Sequence, residues 1–506
     1  MEPAREGYTR VVQNRLTITG LLSRHKILAA SAVVACIVPA VANAQNGFSF
    51  LDAEQSAVPY TETGARARIR CASLVALTMH DYSIVSATLL DEKDGVPEHC
   101  RVSGVIPPEI RFEVNLPSAW NRRFYMYGNG GYAGTSPENR GKTRQRDRGL
   151  RHGFATAYTN TGHDSKVEPL ATFAHDNLQK EIDYSFRAVH LTVVTAKELL
   201  GAYYGDTLSY SYWDGCSTGG RQGLMSAQRF PADFDGVIAG APVLNFTDIQ
   251  IWGAWNAKAL LEAPLSLEKI GVVAEKVYAR CDGLDGLEDG LIDDPRQCAF
   301  DPAKHLPRCG DSARDTCFTG GEIQALQKIY GGVISKGEVL FPGLPVGAEA
   351  APPSGENKTS GWNRWIVSEE GPSIQQVFAE TFLKYMAFEK DDPNYDWKTF
   401  DFDEDPAKTG FIRSILDARN PDLSPFQQHG SKILMYFGWA DTALNPLMAV
   451  DYYEQVVETM GDRTSDFFRL FMVPGMFHCR GGLGVSIFQC KDEPETGQGG
   501  KGQAAG

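Results

Sequence analysis

The segment "DGCSTGGRQG" (214–223) contains Gly215-x-Ser217-x-Gly219, a pattern that occurs once in the chain. A serine framed by glycines, between a strand-like run and a helix-like one, can sit on a sharp turn with its hydroxyl exposed. That hydroxyl is a weak nucleophile near neutral pH, so it needs a positioned base, and the base needs an acid to orient it. Chain order narrows the partners. In a strand–turn–helix setting of this kind the acid follows the serine and the histidine follows the acid. Only His305, His429 and His478 lie after Ser217, and Asp441 directly follows the strand-like run "SKILMYFGWA". Beyond Asp441 the one remaining histidine is His478, placed after "FRLFMVP" and a glycine turn. The expected chemistry is acyl transfer, with Ser217 as nucleophile, His478 as base and Asp441 orienting the imidazole.

Such a reaction also needs donors for the oxyanion that forms on the carbonyl. The backbone amide of Thr218 is one expected donor. The second is Gly131, with Gly130 as the alternative, in "YGNGGYAG" (127–134), where glycines allow close approach to a substrate. The spacing Gly128-x-Gly130-x-x-Ala133 also imitates a dinucleotide fingerprint. That reading fails because "GTSPENRGKTRQR" follows, a polar stretch with proline where a cofactor-binding helix should begin. The basic run "RGKTRQRDRGLRHG" (140–153) is expected to be a solvated loop.

The elements that must hold these groups are legible as strand-like runs at 123–129, 154–160, 208–214, 234–242, 431–438 and 468–474. They alternate with helical patterns, which predicts a parallel sheet with crossover helices. Residues 182–201 have helical spacing and a closing glycine, and "RQGLMSAQRF" predicts the helix after the serine. The texture changes at 244–423, a Gly-, Pro- and Asp-rich stretch with aromatics and four cysteines. It is expected to be a lid inserted between strands of the sheet. The core then comprises 45–243 and 424–490, and 491–506 is a disordered tail.

The first 44 residues have the form of an export signal, with five basic residues, the apolar run "ILAASAVVACIVPAVANA" and the small-residue exit Ala42-Asn43-Ala44. An uncleaved anchor is the competing reading, weakened by Pro39 and that exit. Cleavage removes five basic and two acidic residues from a chain of net charge −14, leaving −17. This acidity argues against nucleic acid as a partner, and no later apolar run reaches membrane-spanning length. The mature protein is therefore expected to be soluble, and secreted or periplasmic. Export also permits disulfides. Close spacing suggests Cys281 with Cys298 and Cys309 with Cys317, while Cys71 and Cys100 flank an N-terminal segment. Cys216 precedes the proposed nucleophile and Cys479 follows the proposed base. Bonded to each other, they would tie the two loops together. Spacing alone leaves the connectivity open, and Cys490 has no evident partner.

Within the expected lid, "CDGLDGLEDGLIDDPRQC" (281–298) gathers Asp282, Asp285 and Asp289 in a glycine-rich loop. Such oxygens suit a hard cation such as Ca²⁺. An EF-hand is excluded, because Leu287 and Arg296 stand where that loop needs oxygen ligands.

Taken together, Cys216-Ser217, Asp441 and His478-Cys479 resemble the signature of the tannase and feruloyl esterase family. "TNTGHD" (159–164), "FDGVIAGAPV" (234–243) and "GWADTALNP" (438–446) are also similar to family sequence, and the resemblance spans about 65–485. It implies an α/β-hydrolase core with a large lid, a disulfide joining the neighbours of Ser and His, and hydrolysis of feruloyl, galloyl or terephthaloyl esters, the last including mono(2-hydroxyethyl) terephthalate. It further implies a structural calcium on Asp282, Asp285 and Asp289 with backbone oxygens of Leu287 and Leu291, and no organic cofactor. The chain departs from members that carry a further C-terminal disulfide. Lid candidates for substrate contact are Trp252, Trp255, Trp362, Trp365, Phe382, Tyr385 and Phe388, most of which are expected to be lid core, with Arg364 or Lys384 as carboxylate partners. Two rivals stand beside this reading: a serine hydrolase of other specificity, such as a peptidase, and a non-catalytic binding protein on the same fold.

Overall fold

The computed structural model describes residues 64–310, 316–349 and 361–486. The expected export signal, the tail from 491 and Cys490 lie outside the described residues. Nine strands form one sheet: β1 (Ser83–Leu90), β2 (His99–Ile106), β3 (Ile110–Pro117), β4 (Arg123–Tyr127), β5 (Ala155–Thr159), β6 (Tyr210–Cys216), β7 (Gly236–Gly240), β8 (Lys432–Gly438) and β9 (Phe468–Val473). Their order is β1-β2-β3-β5-β4-β6-β7-β8-β9. From β5 to β9 every pairing is parallel, whereas β1, β2, β3 and β5 pair antiparallel. This is a mixed α/β fold whose central sheet is mostly parallel.

Burial follows the topology. Every residue of the interior strand β5 is buried, as expected for a strand covered on both faces. The edge strand β1 leaves Val85 and Leu89 exposed and turns Ile84 inward. The three antiparallel strands were not among the sequence expectations. Their polar and charged residues dilute the alternation, and the disulfide Cys71–Cys100 pins β2 to the turn before β1.

Register explains how distant residues meet. In β6, Cys216 lies opposite Gly240 of β7, while Tyr436 of β8 is the partner of the same Gly240. Gly438 at the end of β8 then lies opposite Val473 at the end of β9. The loops bearing Ser217, Asp441 and His478 therefore leave the same carboxyl-terminal edge of the sheet, where open α/β sheets place their sites.

Two sequence expectations need correction. The basic run at 140–153 is not a loop but helix α1 (Arg140–Arg151), capped by the Asn139 side chain, which accepts from the Gly141 amide at 2.9 Å. Its Leu150 and Gly149 are buried, and Arg146 is held 3.7 Å from Glu113 of β3. The second correction concerns 182–201. A π-type turn (Asp183–Arg187) leads into α2 (Ala188–Tyr204), and the closing glycine is Gly205 in the left-handed conformation.

Between β7 and β8 run residues 241–431, which include α4 (Phe246–Glu262), α5 (Leu267–Cys281) and α6 (Ile374–Tyr385). Trp252, Trp362 and Phe382 are fully buried there, in one hydrophobic core with residues of the sheet. Ring contacts from Tyr132 to Phe246 and from Phe246 to Phe382 carry that core across from the loop after β4.

Candidate active site

Ser217 sits between β6 and α3 (Thr218–Arg229) with φ 63° and ψ −124°. Most L-residues avoid this backbone, so the surroundings must hold it. The Ser217 amide donates to the Gly240 carbonyl at 2.9 Å, and its own carbonyl accepts from the amides of Arg221 (3.1 Å) and Val243 (3.3 Å). The flanking glycines answer a packing demand. A Cβ on Gly215 would lie 2.5 Å from the carbonyl carbon of Gly219, and one on Gly128 would lie 2.5 Å from the Gly219 Cα. The pattern thus lets the loop after β4 press against the serine turn.

That loop is the expected source of the second oxyanion donor. The Gly131 carbonyl accepts from Thr218 Oγ1 at 2.6 Å and from the Tyr184 hydroxyl at 3.0 Å. Two residues earlier, the Asn129 amide donates to Gln222 Oε1 at 3.0 Å, and Tyr158 donates to Asn129 Oδ1 at 2.6 Å. Lys142 of α1 reaches the Gly128 carbonyl, and burial lowers its ammonium to about 8. Sequence reasoning missed all of these supports except Thr218, for which only the amide was named. They come from separate elements, so no local motif marks them.

Asp441 is fully buried. Its Oδ1 accepts from the amides of Ala443 (2.9 Å) and Leu444 (3.0 Å), and its Oδ2 lies 2.7 Å from His478 Nδ1. With the carboxylate as acceptor, Nδ1 carries the imidazole proton and Nε2 is left as the basic nitrogen. Trp365 packs edge-on against the His478 ring with centroids 5.9 Å apart. Cys216 and Cys479 are bonded, with a sulfur–sulfur distance of 2.04 Å and a Cα separation of 5.9 Å. The other bonded pairs are Cys71–Cys100, Cys281–Cys298 and Cys309–Cys317.

Ser217, Thr218, Gly130, Gly131 and His478 all line one cavity of about 340 Å³. Its other walls are mostly apolar: Val243, Phe246, Ile249, Trp365, Phe378, Ala443 and Leu444, with Gln250 and Gln375. Apolar walls with a few polar groups are the usual lining of a small-molecule site. Among the described residues no hydrogen bond links Ser217 Oγ to His478, although both line the cavity. A larger cavity of about 520 Å³ contains none of the three proposed catalytic residues, and its Arg413 and Arg419 are paired with Asp248.

Of the lid residues singled out for substrate contact, only Trp365 lines the site. Trp252, Trp362 and Phe382 are core, Trp255 donates to the Lys328 carbonyl, and Phe388 packs on Tyr395. Tyr385 contacts His175. The two cations are occupied as well, Arg364 by Glu370 at 3.3 Å and Lys384 by Glu380 at 2.6 Å. The missed wall residues Phe246, Ile249 and Gln250 lie on one face of α4 at i, i+3 and i+4 spacing, a signal the sequence did carry.

In the loop after α5, Asp282, Asp285 and Asp289 each give one oxygen to a backbone amide of the loop, those of Gly290, Leu287 and Leu291 at 3.0, 2.9 and 3.1 Å. The donor chemistry fits a hard cation. Among the described residues, however, no three His, Cys, Asp or Glu side chains converge as a metal site. The loop does reach the active-site edge, because Arg296 stacks over Trp439, two residues before Asp441, at 5.3 Å.

Comparison with known proteins places the chain among ester hydrolases. A family model described as tannase and feruloyl esterase matches residues 95–492. The chain is 34% identical over 485 residues to an uncharacterized esterase of Xanthomonas campestris, covering 88% of this chain and 82% of the relative. It is 32% identical over 452 residues to the mono(2-hydroxyethyl) terephthalate hydrolase of Piscinibacter sakaiensis, covering 78% and 75% of the two chains. Among solved structures it is similar to feruloyl esterase B from Aspergillus oryzae, with a TM-score of 0.70, 28% identity and coverage of 83% and 86%. The chain belongs to the tannase and feruloyl esterase family of carboxylic ester hydrolases.

Proposed function

We propose that the protein hydrolyses esters of aromatic acids through an acyl-enzyme on Ser217. The observation that carries this reading is the mostly apolar cavity of about 340 Å³ lined by both Ser217 and His478, with His478 held by buried Asp441 at 2.7 Å. Ser217 Oγ attacks the ester carbonyl carbon as its proton passes to His478 Nε2. The amides of Thr218 and Gly131 receive the oxyanion. Collapse of the tetrahedral intermediate breaks the bond to the alcohol oxygen, which takes the proton from His478. Water, deprotonated by the same nitrogen, then attacks the acyl-enzyme and releases the acid and the free serine.

Four disulfides among the described residues fit an oxidising compartment, so the reading includes export to the periplasm or the medium. Among the described residues no helix is long and apolar enough to cross a membrane. The test of specificity is a substrate panel. Methyl ferulate, a galloyl ester and mono(2-hydroxyethyl) terephthalate are compared with a peptide anilide, and turnover of at least one aromatic ester with none of the anilide is expected. Cleavage of the anilide alone would favour the peptidase rival.

A calcium ion in the 281–298 loop belongs to the same proposal, supported by its oxygen donors and the family resemblance. The ion would neutralise Asp282, Asp285 and Asp289 and brace the loop beneath Trp439. Chelation is expected to lower the melting temperature by several degrees, with recovery on adding Ca²⁺. An unchanged melting curve would rule out a structural metal there.

A further inference from the structure

Two glutamines line the active-site cavity, and their surroundings differ. Gln375 is fixed: its Nε2 donates to the Thr442 carbonyl at 2.8 Å, and its Oε1 accepts from Asn256 at 3.0 Å. Gln250 is 4% exposed, and among the described residues its side-chain amide has no hydrogen-bond partner. Neither of its amide atoms is among the sealed, unbonded polar atoms of the described residues, so the amide opens onto the cavity it lines and can bond what enters there. Its neighbours on the same helix face, Phe246 and Ile249, are apolar and offer no such partner.

We propose that Gln250 is a specificity residue that hydrogen-bonds a free phenolic hydroxyl on the aromatic ring of the substrate. The proposal rests on the aromatic-ester reading and narrows it. An amide presents a carbonyl acceptor and an NH₂ donor side by side, and a phenol both donates and accepts. A methyl aryl ether can only accept, so it would leave the Gln250 carbonyl unbonded. A ring carboxylate is also an acceptor only, and it brings a charge into a cavity with no Lys or Arg among its described lining residues. Arg364 and Lys384, the cations that sequence reasoning offered to such a carboxylate, do not line it. The expected order of preference is therefore free phenol, then methylated phenol, then ring carboxylate.

The experiment compares kcat/KM for methyl ferulate and methyl 3,4-dimethoxycinnamate, which differ only in methylation of the ring hydroxyl. The wild-type enzyme should favour the ferulate by about 10-fold to 100-fold. In Gln250→Met, whose side chain is of similar length and cannot reproduce the amide, the ratio should fall to near 1 through loss on the ferulate side. Equal wild-type rates on the two esters would overturn the assignment without any variant being made. An undiminished ratio in Q250M, or in Gln250→Leu if the first variant fails to fold, would overturn it as well. Turnover of neither cinnamate beside brisk hydrolysis of 4-nitrophenyl butyrate would instead sink the aromatic-ester reading, and this proposal with it.

Discussion

Ser217→Ala is expected to lower kcat on an aromatic ester by about 10⁴-fold to 10⁶-fold, because in the proposed mechanism Ser217 forms the acyl-enzyme and members of such a triad act as a unit. Folding should be untouched. Among the described residues no hydrogen bond of the Ser217 hydroxyl supports the structure, and alanine occupies the same backbone position without adding bulk. Matched melting curves with turnover near background are the predicted pair of results. Residual activity within tenfold of wild type would mean that the nucleophile lies elsewhere.

The second large effect concerns the Cys216–Cys479 bond. It joins positions 263 residues apart in sequence, so it removes much freedom from the unfolded chain. The loop-entropy model gives a loss of about 5.5 kcal/mol on its removal, and native disulfides typically contribute about 2–5 kcal/mol. Position matters as much as stability. One sulfur belongs to the residue before Ser217 and the other to the residue after His478, so the bond limits the relative drift of the proposed nucleophile and base. A misplacement of about 1 Å can cost on the order of 10²-fold in rate. The double variant Cys216→Ala/Cys479→Ala, which leaves no lone thiol at the site, should therefore lose both stability in urea and about 10-fold to 100-fold in kcat under folding conditions. A variant that is less stable but fully active would assign the bond to folding alone.

Why some of this could be read from the chain and some could not follows from the range over which each signal acts. The serine turn is local, since Gly215, Ser217 and Gly219 lie within five residues and the steric demand of the turn is written in their types. Asp441 and His478 were reachable because each follows a strongly apolar strand, and the order of elements restricted the choice. Helix α1 was misread because it buries so little apolar surface. Its hold depends on the Asn139 cap and on pairing with Glu113 of β3, neither of which appears as periodicity. The lid aromatics followed the expectation that most of them are core, since a large ring is far more often core than contact, as Trp252, Trp362 and Phe382 are here. The informative pattern was the modest one on α4, where Phe246, Ile249 and Gln250 put two apolar walls and one unbonded amide on a single face.

These assignments all require that Ser217 be activated by His478 at the edge where β6, β8 and β9 end together. The most direct measurement is to treat the oxidised protein with a fluorophosphonate and locate the covalent adduct by peptide mass spectrometry. A single adduct on the Ser217 peptide, absent from Ser217→Ala and slowed by orders of magnitude in His478→Asn, is the predicted result. An adduct on another residue, or rapid labelling of Ser217 that persists without His478, would contradict it.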